Sequence, residues 1–89
     1  MSDFEWDKGK EAFNFQKHRV DFYTAARAFK DPDRKIFKDT GHSHFEDRFY
    51  CIGKVDGQIL TVRYTLRDQK IRIIGAGFWR KGKLYYEKG

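Results

Sequence analysis

An α+β fold, with two N-terminal helices packed on one face of a mainly antiparallel sheet, is what this chain predicts. Two stretches with helical spacing, each preceded by an aspartate, lie before residue 31. From residue 48 to 76 the pattern changes to alternation, broken by short polar turns. The 89 residues suffice for one modest core and not for two, so 1–89 is read as a single domain.

Phe4 to Trp6 suits a short opening strand. Asp7 is placed to cap a helix from Lys8 to His18, with Glu11 near its first turn. Phe15, His18 and Phe22 follow at three- and four-residue spacing, which sets His18 beside an apolar stripe as a packed, hydrogen-bonded residue at a helix end. A second helix starts at Asp21 and carries Phe22, Ala25, Ala26 and Phe29 on one face. Asp31-Pro32-Asp33 ends it, because proline cannot continue the ladder and disfavours helical geometry in the residue before it. Arg34 to Lys38 reads as a strand and Asp39 to His44 as a loop.

The sheet follows. Asp56-Gly57 suits a two-residue hairpin turn in which both residues need positive φ. That turn sets Val55 opposite Gln58, Cys51 opposite Val62, Tyr50 opposite Arg63 and Phe49 opposite Tyr64. A second turn at Arg67-Asp68 sets Leu66 opposite Gln69, Tyr64 opposite Ile71, Val62 opposite Ile73 and Arg63 opposite Arg72. One face then collects Phe49, Cys51, Gly53, Leu60, Val62, Tyr64, Leu66, Ile71 and Ile73, apolar enough to bury. The other collects Arg48, Tyr50, Ile52, Lys54, Ile59, Thr61, Arg63, Thr65, Lys70, Arg72 and Ile74. A one-residue slip would exchange the two sets and bury the arginines, so the faces are firmly specified. Gly75 and Gly77 point to a bulge or bend that turns Phe78 and Trp79 away from the strand.

Charge is unevenly spread along the chain. Residues 1–47 hold nine Lys/Arg and ten Asp/Glu, whereas residues 48–89 hold ten and three. A basic half joined to a near-neutral half implies a localised anion-binding surface, against the plainer reading of a solvated charged face. The single cysteine, Cys51, excludes an internal disulfide framework and reads as a buried small hydrophobe in a reducing compartment. MSDFEWDKGK has no apolar run resembling a signal peptide, and no stretch approaches the roughly 20 apolar residues of a membrane span. The expected setting is the cytoplasm.

In the predicted register Tyr50, Arg63 and Arg72 share one row. Facing arginines repel, and a phosphate gripped by both guanidinium groups would reverse the sign of that interaction. Tyr50 beside them offers a ring for base stacking and a hydroxyl for proton relay. His42-Ser43-His44 has alternating spacing, and Glu46 and Asp47 follow it. No cysteine pair or third ligand stands at a recognisable interval, so neither a metal nor another cofactor is expected. A histidine in that loop could instead give or take a proton.

Several segments resemble the BrnT family: Phe4-Glu-Trp-Asp7, Asn14 with Lys17-His18, Val20-Asp-Phe22, His42-Ser43, Glu46-Asp-Arg48-Phe, Ile52-Gly53, Tyr64-Thr65 and Ile71-Arg-Ile-Ile74. They occur in the same order across nearly the whole chain. The resemblance implies the toxin half of a type II toxin–antitoxin pair, with a RelE-like fold and cleavage of RNA that halts translation. It also implies a BrnA-like antitoxin as partner, DNA contact only through that antitoxin, and a heteromeric complex built on dimers. Members commonly carry glycine where this chain has Arg19, a change expected to remove a left-handed helix stop. Their tails carry a denser Arg-Lys run than the segment from Gly75 to Lys83.

The sequence reading is therefore a metal-independent endoribonuclease. Arg63 and Arg72 clamp the scissile phosphate, Tyr50 stacks or relays a proton, and Arg48, Lys54, Lys70 and Arg80 follow the RNA backbone. The rival reading is a module that binds nucleic acid or an acidic protein without chemistry, using Ile52, Ile59 and Ile74 as an exposed apolar dock.

Overall fold

Asp7 leaves the short strand β1 (Phe4–Trp6), and its carboxylate accepts the Lys10 backbone N–H at 3.0 Å to open helix α1 (Lys8–His18). The cap satisfies an amide that the first helical turn leaves without a partner. In this computed structural model, which describes residues 3–42 and 45–88, α1 has the bounds that the spacing predicts. Arg19 stops the helix in left-handed geometry, φ 59°, giving its N–H to the Phe15 carbonyl at 2.8 Å. The stop survives without glycine, at the steric cost that a side chain brings to that conformation.

Asp21 caps the second helix, α2 (Phe22–Arg27), through the Thr24 N–H at 2.7 Å. A tighter turn, Ala28–Lys30, continues it to Asp31, just before Pro32. Glu11 ties the helices together: its carboxylate accepts Trp6 Nε1 at 3.2 Å and the Phe22 N–H at 2.9 Å. Phe22, Ala25 and Ala28, with Val20, pack on Cys51, Leu60, Val62, Ile73 and Ala76, and Phe29 closes the margin of this core. Gly53 runs directly beneath the Ala28 backbone, which leaves no room there for a side chain. Phe15 departs from the expected stripe, lying 42% exposed on the outer side of α1 under the Arg19 guanidinium. Cys51 is fully buried, and burial pushes its thiol up to about 12.

The described strands form one sheet in the order β1-β5-β4-β3-β2, with β2 Lys35–Lys38, β3 Arg48–Val55, β4 Gln58–Arg67 and β5 Lys70–Gly77. The pairings among β2 to β5 are antiparallel, but β1 runs parallel to β5, so the sheet is mixed. Asp56 and Gly57 both have positive φ, and the first hairpin has the predicted register throughout.

The second hairpin turns one residue later than predicted. Asp68 and Gln69 take positive φ, 54° and 66°, so Arg67 pairs with Lys70 and Thr65 with Arg72. A bulge at Ile74 then shifts the register, and Arg63 lies opposite Gly75 instead of Arg72. Moving the turn by one residue changes partners while preserving parity, so residues as far as Ile73 keep their predicted faces, whereas beyond the bulge Gly75 joins the Arg63 row and Ala76 the Val62 row. Gln69 bears the cost of the tight turn, since left-handed geometry is unfavourable by about 1 kcal/mol for a residue with a Cβ. Gln69→Gly is expected to raise unfolding free energy by about 1 kcal/mol in urea titration; an unchanged or lower value would count against this turn.

The helices also depart from the expected placement. α2 and the turn after it cover the apolar face, while α1 lies beside the β5 edge that β1 leaves open. There the Asn14 amide bonds both backbone groups of Ala76, accepting its N–H at 3.1 Å and donating to its carbonyl at 3.0 Å. A third helix, α3 (Arg80–Glu87), packs on the opposite face against β3 and β4. Gly82 makes that approach possible, because a methyl group there would fall on Thr61. Tyr86 donates to the Asp31 carboxylate at 2.5 Å, and Lys35 Nζ donates to the Tyr85 carbonyl at 3.1 Å, fastening α3 across the sheet. The basic face is thus only partly open, and Ile52, expected as an exposed dock, is fully buried under α3. Among the described residues, no helix is long and apolar enough to cross a membrane.

Candidate active site

Strand pairing arranges the basic face in rows. Phe37, Tyr50, Arg63 and Gly75 form one row across β2, β3, β4 and β5. Arg48, Thr65, Arg72 and Glu5 form the next, with β1 supplying the glutamate. Tyr50 and Arg63 are therefore cross-strand partners as predicted. Arg72 lies one row away, about 7 Å along the strand. Its guanidinium meets Glu5 at 3.3 Å, so its charge is balanced within the protein. The predicted repulsive Arg63–Arg72 pair does not form. Parallel pairing of β1 puts Glu5 there, a contact between distant segments that local spacing does not reveal.

Arg63 is half-buried and lies across β5. A Cβ on Gly75 would come within 2.7 Å of its terminal nitrogen, so glycine is what lets the guanidinium rest on bare backbone. Gly77 does the same for the Trp79 indole, where a Cβ would approach the ring to 2.8 Å. The two glycines follow the Ile74 bulge, and their use is space for these side chains. Arg63 Nε is shielded from solvent and has no hydrogen-bond partner among the described residues. The terminal nitrogens of Arg63 are not shielded in this way, and they are where this guanidinium can hold an anion.

Two hollows meet at Arg63. The first, about 560 Å³, is lined by Phe37, Tyr50, Trp79, Arg80 and Tyr85 beside it. Phe37 sits between Tyr50 and Tyr85, with ring centroids 5.1 Å away on each side. Such a row of tilted rings offers a stacking surface for a base. Burial, together with a hydrogen bond to Asp39, raises the Tyr50 phenol above its ordinary range, while Arg63 pulls the other way. Tyr50 therefore remains a neutral hydrogen-bond donor at physiological pH. The second hollow, about 490 Å³, lies between α1 and the sheet and includes Lys10, Phe13, Lys17 and His18 with Arg63.

The other predicted contacts are spread out. Arg80 opens α3 beside the aromatic hollow. Arg48 stands in the Arg72 row, 4.0 Å from Glu46. Lys54 and Lys70 lie near opposite ends of β4, opposite Ile59 and Arg67, on the order of 25 Å apart. A larger depression of about 700 Å³ contains Lys54, Arg80 and Lys83 but neither Arg63 nor Tyr50, so size alone does not mark the site. Of the candidate loop histidines, the His42 side chain and His44 lie outside what is described. Among the described residues, no three His, Cys, Asp or Glu side chains gather where they could hold a metal ion.

Lys10, Lys17, His18, Trp79 and Tyr85 were not legible as site residues. His18 and Trp79 are far apart in sequence, yet their rings meet edge to face at 5.1 Å. Trp79 beside the Gly75/Gly77 bend was the available signal.

A search of curated proteins gives no match. The family model for the ribonuclease toxin BrnT of type II toxin–antitoxin systems, by contrast, matches residues 6–82. That span takes in β1's last residue, both N-terminal helices, the remaining strands and the start of α3, including every residue of the Arg63 row. The chain belongs to the BrnT family of ribonuclease toxins.

Proposed function

We propose that this protein is a metal-independent endoribonuclease with Arg63 at its centre, and that the aromatic hollow beside Tyr50 receives a base of the RNA. The observation that carries this reading is a half-buried guanidinium with no carboxylate partner among the described residues, set beside a row of aromatic rings. Cleavage of RNA by its own 2′-hydroxyl asks the protein to align that oxygen with phosphorus and to stabilise charge on the phosphoryl oxygens. Arg63 supplies the charge, and Tyr50 offers a stacking surface and a hydroxyl joined to Asp39. Arg72 lends positive field from the neighbouring row, while Arg48, Lys54, Lys70 and Arg80 follow the backbone. The products are a 2′,3′-cyclic phosphate and a 5′-hydroxyl.

In the cell, this activity stops translation in the cytoplasm until a BrnA-like antitoxin covers the site. DNA is reached through that antitoxin, in a complex built on dimers. The test is antitoxin-free protein, well below stoichiometry, incubated with RNA in EDTA. Multiple turnover giving cyclic-phosphate ends is expected. A gel shift without cleavage would leave the chain as a binding module and end the nuclease reading.

A further inference from the structure

The hollow on the α1 side of Arg63 has a composition unlike its aromatic neighbour. Lys10, Lys17 and His18 reach it from one helix, Arg63 from the sheet, and Phe13 contributes an exposed ring. The Lys17 ammonium stands 5.2 Å from the Phe13 ring centroid. The one carboxylate on its rim, Asp7, is occupied by the Lys10 backbone N–H, which with the neighbouring amide of Gly9 lowers its pKa. His18 is half-buried with the edge of Trp79 against it, and no hydrogen bond to a described residue engages its imidazole. Its ring nitrogens are not among the shielded unpartnered atoms, so they remain reachable from the hollow.

Displacement at phosphorus places the attacking and leaving oxygens roughly in line, on opposite sides. With the base and its ribose in the aromatic hollow, the 2′-oxygen approaches from the Tyr50 side. The 5′-oxygen must then depart on the other side of Arg63, toward α1. We propose that the α1 hollow holds the departing nucleotide, with His18 as the general acid for its 5′-oxygen and Lys10 and Lys17 on the next phosphate. This rests on the ribonuclease reading above.

The step balances without a co-reactant. The bond from the 2′-oxygen to phosphorus forms as its proton passes through the Tyr50 hydroxyl to Asp39, and the bond from phosphorus to the 5′-oxygen breaks. The protonated imidazole of His18 gives its proton to that oxygen. His18 then regains a proton from water and Asp39 releases one.

The test uses two RNAs, identical except that one carries sulfur in place of the bridging 5′-oxygen at the cleavage site. A thiolate leaves without protonation, so only the oxygen substrate needs the acid. His18→Gln is expected to slow cleavage of ordinary RNA by about 10²–10⁴-fold, while the sulfur substrate is cut near the parental rate. Arg63→Ala is expected to slow both. Equal losses on the two substrates, or no loss on either, would overturn the role of His18. His18→Asn repeats the comparison should glutamine disturb the packing on Trp79. Parental protein that cuts neither RNA would instead bring down the ribonuclease reading itself. For the lysines, single-stranded RNA binding by the His18→Gln protein is followed against salt. Lys10→Gln and Lys17→Gln should each flatten the slope of log affinity on log salt by about 0.7, and an unchanged slope removes them from the site.

Discussion

Arg63→Ala is expected to slow RNA cleavage by about 10²–10³-fold, the usual cost of losing one preorganised donor to developing charge. The loss should fall on the rate of the chemical step more than on RNA affinity, because the remaining lysines and arginines still hold the backbone. Arg63→Lys keeps the charge but not the planar fork that can address two phosphoryl oxygens, so partial rescue of roughly tenfold is expected at most. Single-turnover cleavage with saturating protein measures the step directly, and circular dichroism checks that the variants fold. Arg72→Ala provides the comparison. Arg72 is already balanced by Glu5, so its removal should cost less than that of Arg63. Should Arg63→Ala cut at the parental rate, the centre of the proposed site lies elsewhere.

The largest expected effect on stability comes from Asn14. It is buried, and its amide nitrogen donates to the carbonyls of Val20 and Ala76, each at 3.0 Å, while its oxygen accepts the Ala76 N–H at 3.1 Å. One side chain thus acts as a single residue of strand for the β5 edge beyond β1. Asn14→Ala removes three hydrogen bonds and strands buried backbone groups at about 1–3 kcal/mol each, so a net loss of about 3–5 kcal/mol is expected. For a domain of this size, each kcal/mol lowers Tm by about 4–8 °C. Asn14→Asp should do no better, because a carboxylate cannot donate to the two carbonyls. Urea unfolding of both variants tests this. A loss below about 1 kcal/mol for Asn14→Ala would show that water or a local shift replaces the lost partners.

What the sequence made legible is what local chemistry decides. Asp7 and Asp21 mark helix starts because an aspartate before an apolar period has one obvious use. Asp56-Gly57 sets a register because only a few turn types join strands through two residues. The faces of the strand residues follow from a period of two, whichever residues form the turn, as far as Ile73; beyond it the Ile74 bulge reverses the alternation. The second hairpin was misread because Asp68 and Gln69 turn without glycine, which leaves the choice of turn to the strands. The helix α3 went unseen because Gly82 sits in its first turn and lowers helical propensity; only the approach to Thr61 explains that glycine. Arg72 is not opposite Arg63, because the later turn and the Ile74 bulge move it, and its contact with Glu5 comes through the parallel β1–β5 pairing, which joins distant parts of the sequence. Tyr50 and Arg63 kept their places, since their pairing depends on the well-marked first turn.

The position of Gly75 and Gly77 late in the sequence bears on how the toxin is made. Arg63 has no bed to lie on, and His18 no Trp79 beside it, until residues 75–79 have left the ribosome. Nascent chains that stop short of this point would carry Arg63 and Tyr50 but not the assembled centre. The proposed centre is therefore assembled only after nearly all of the domain has been synthesised.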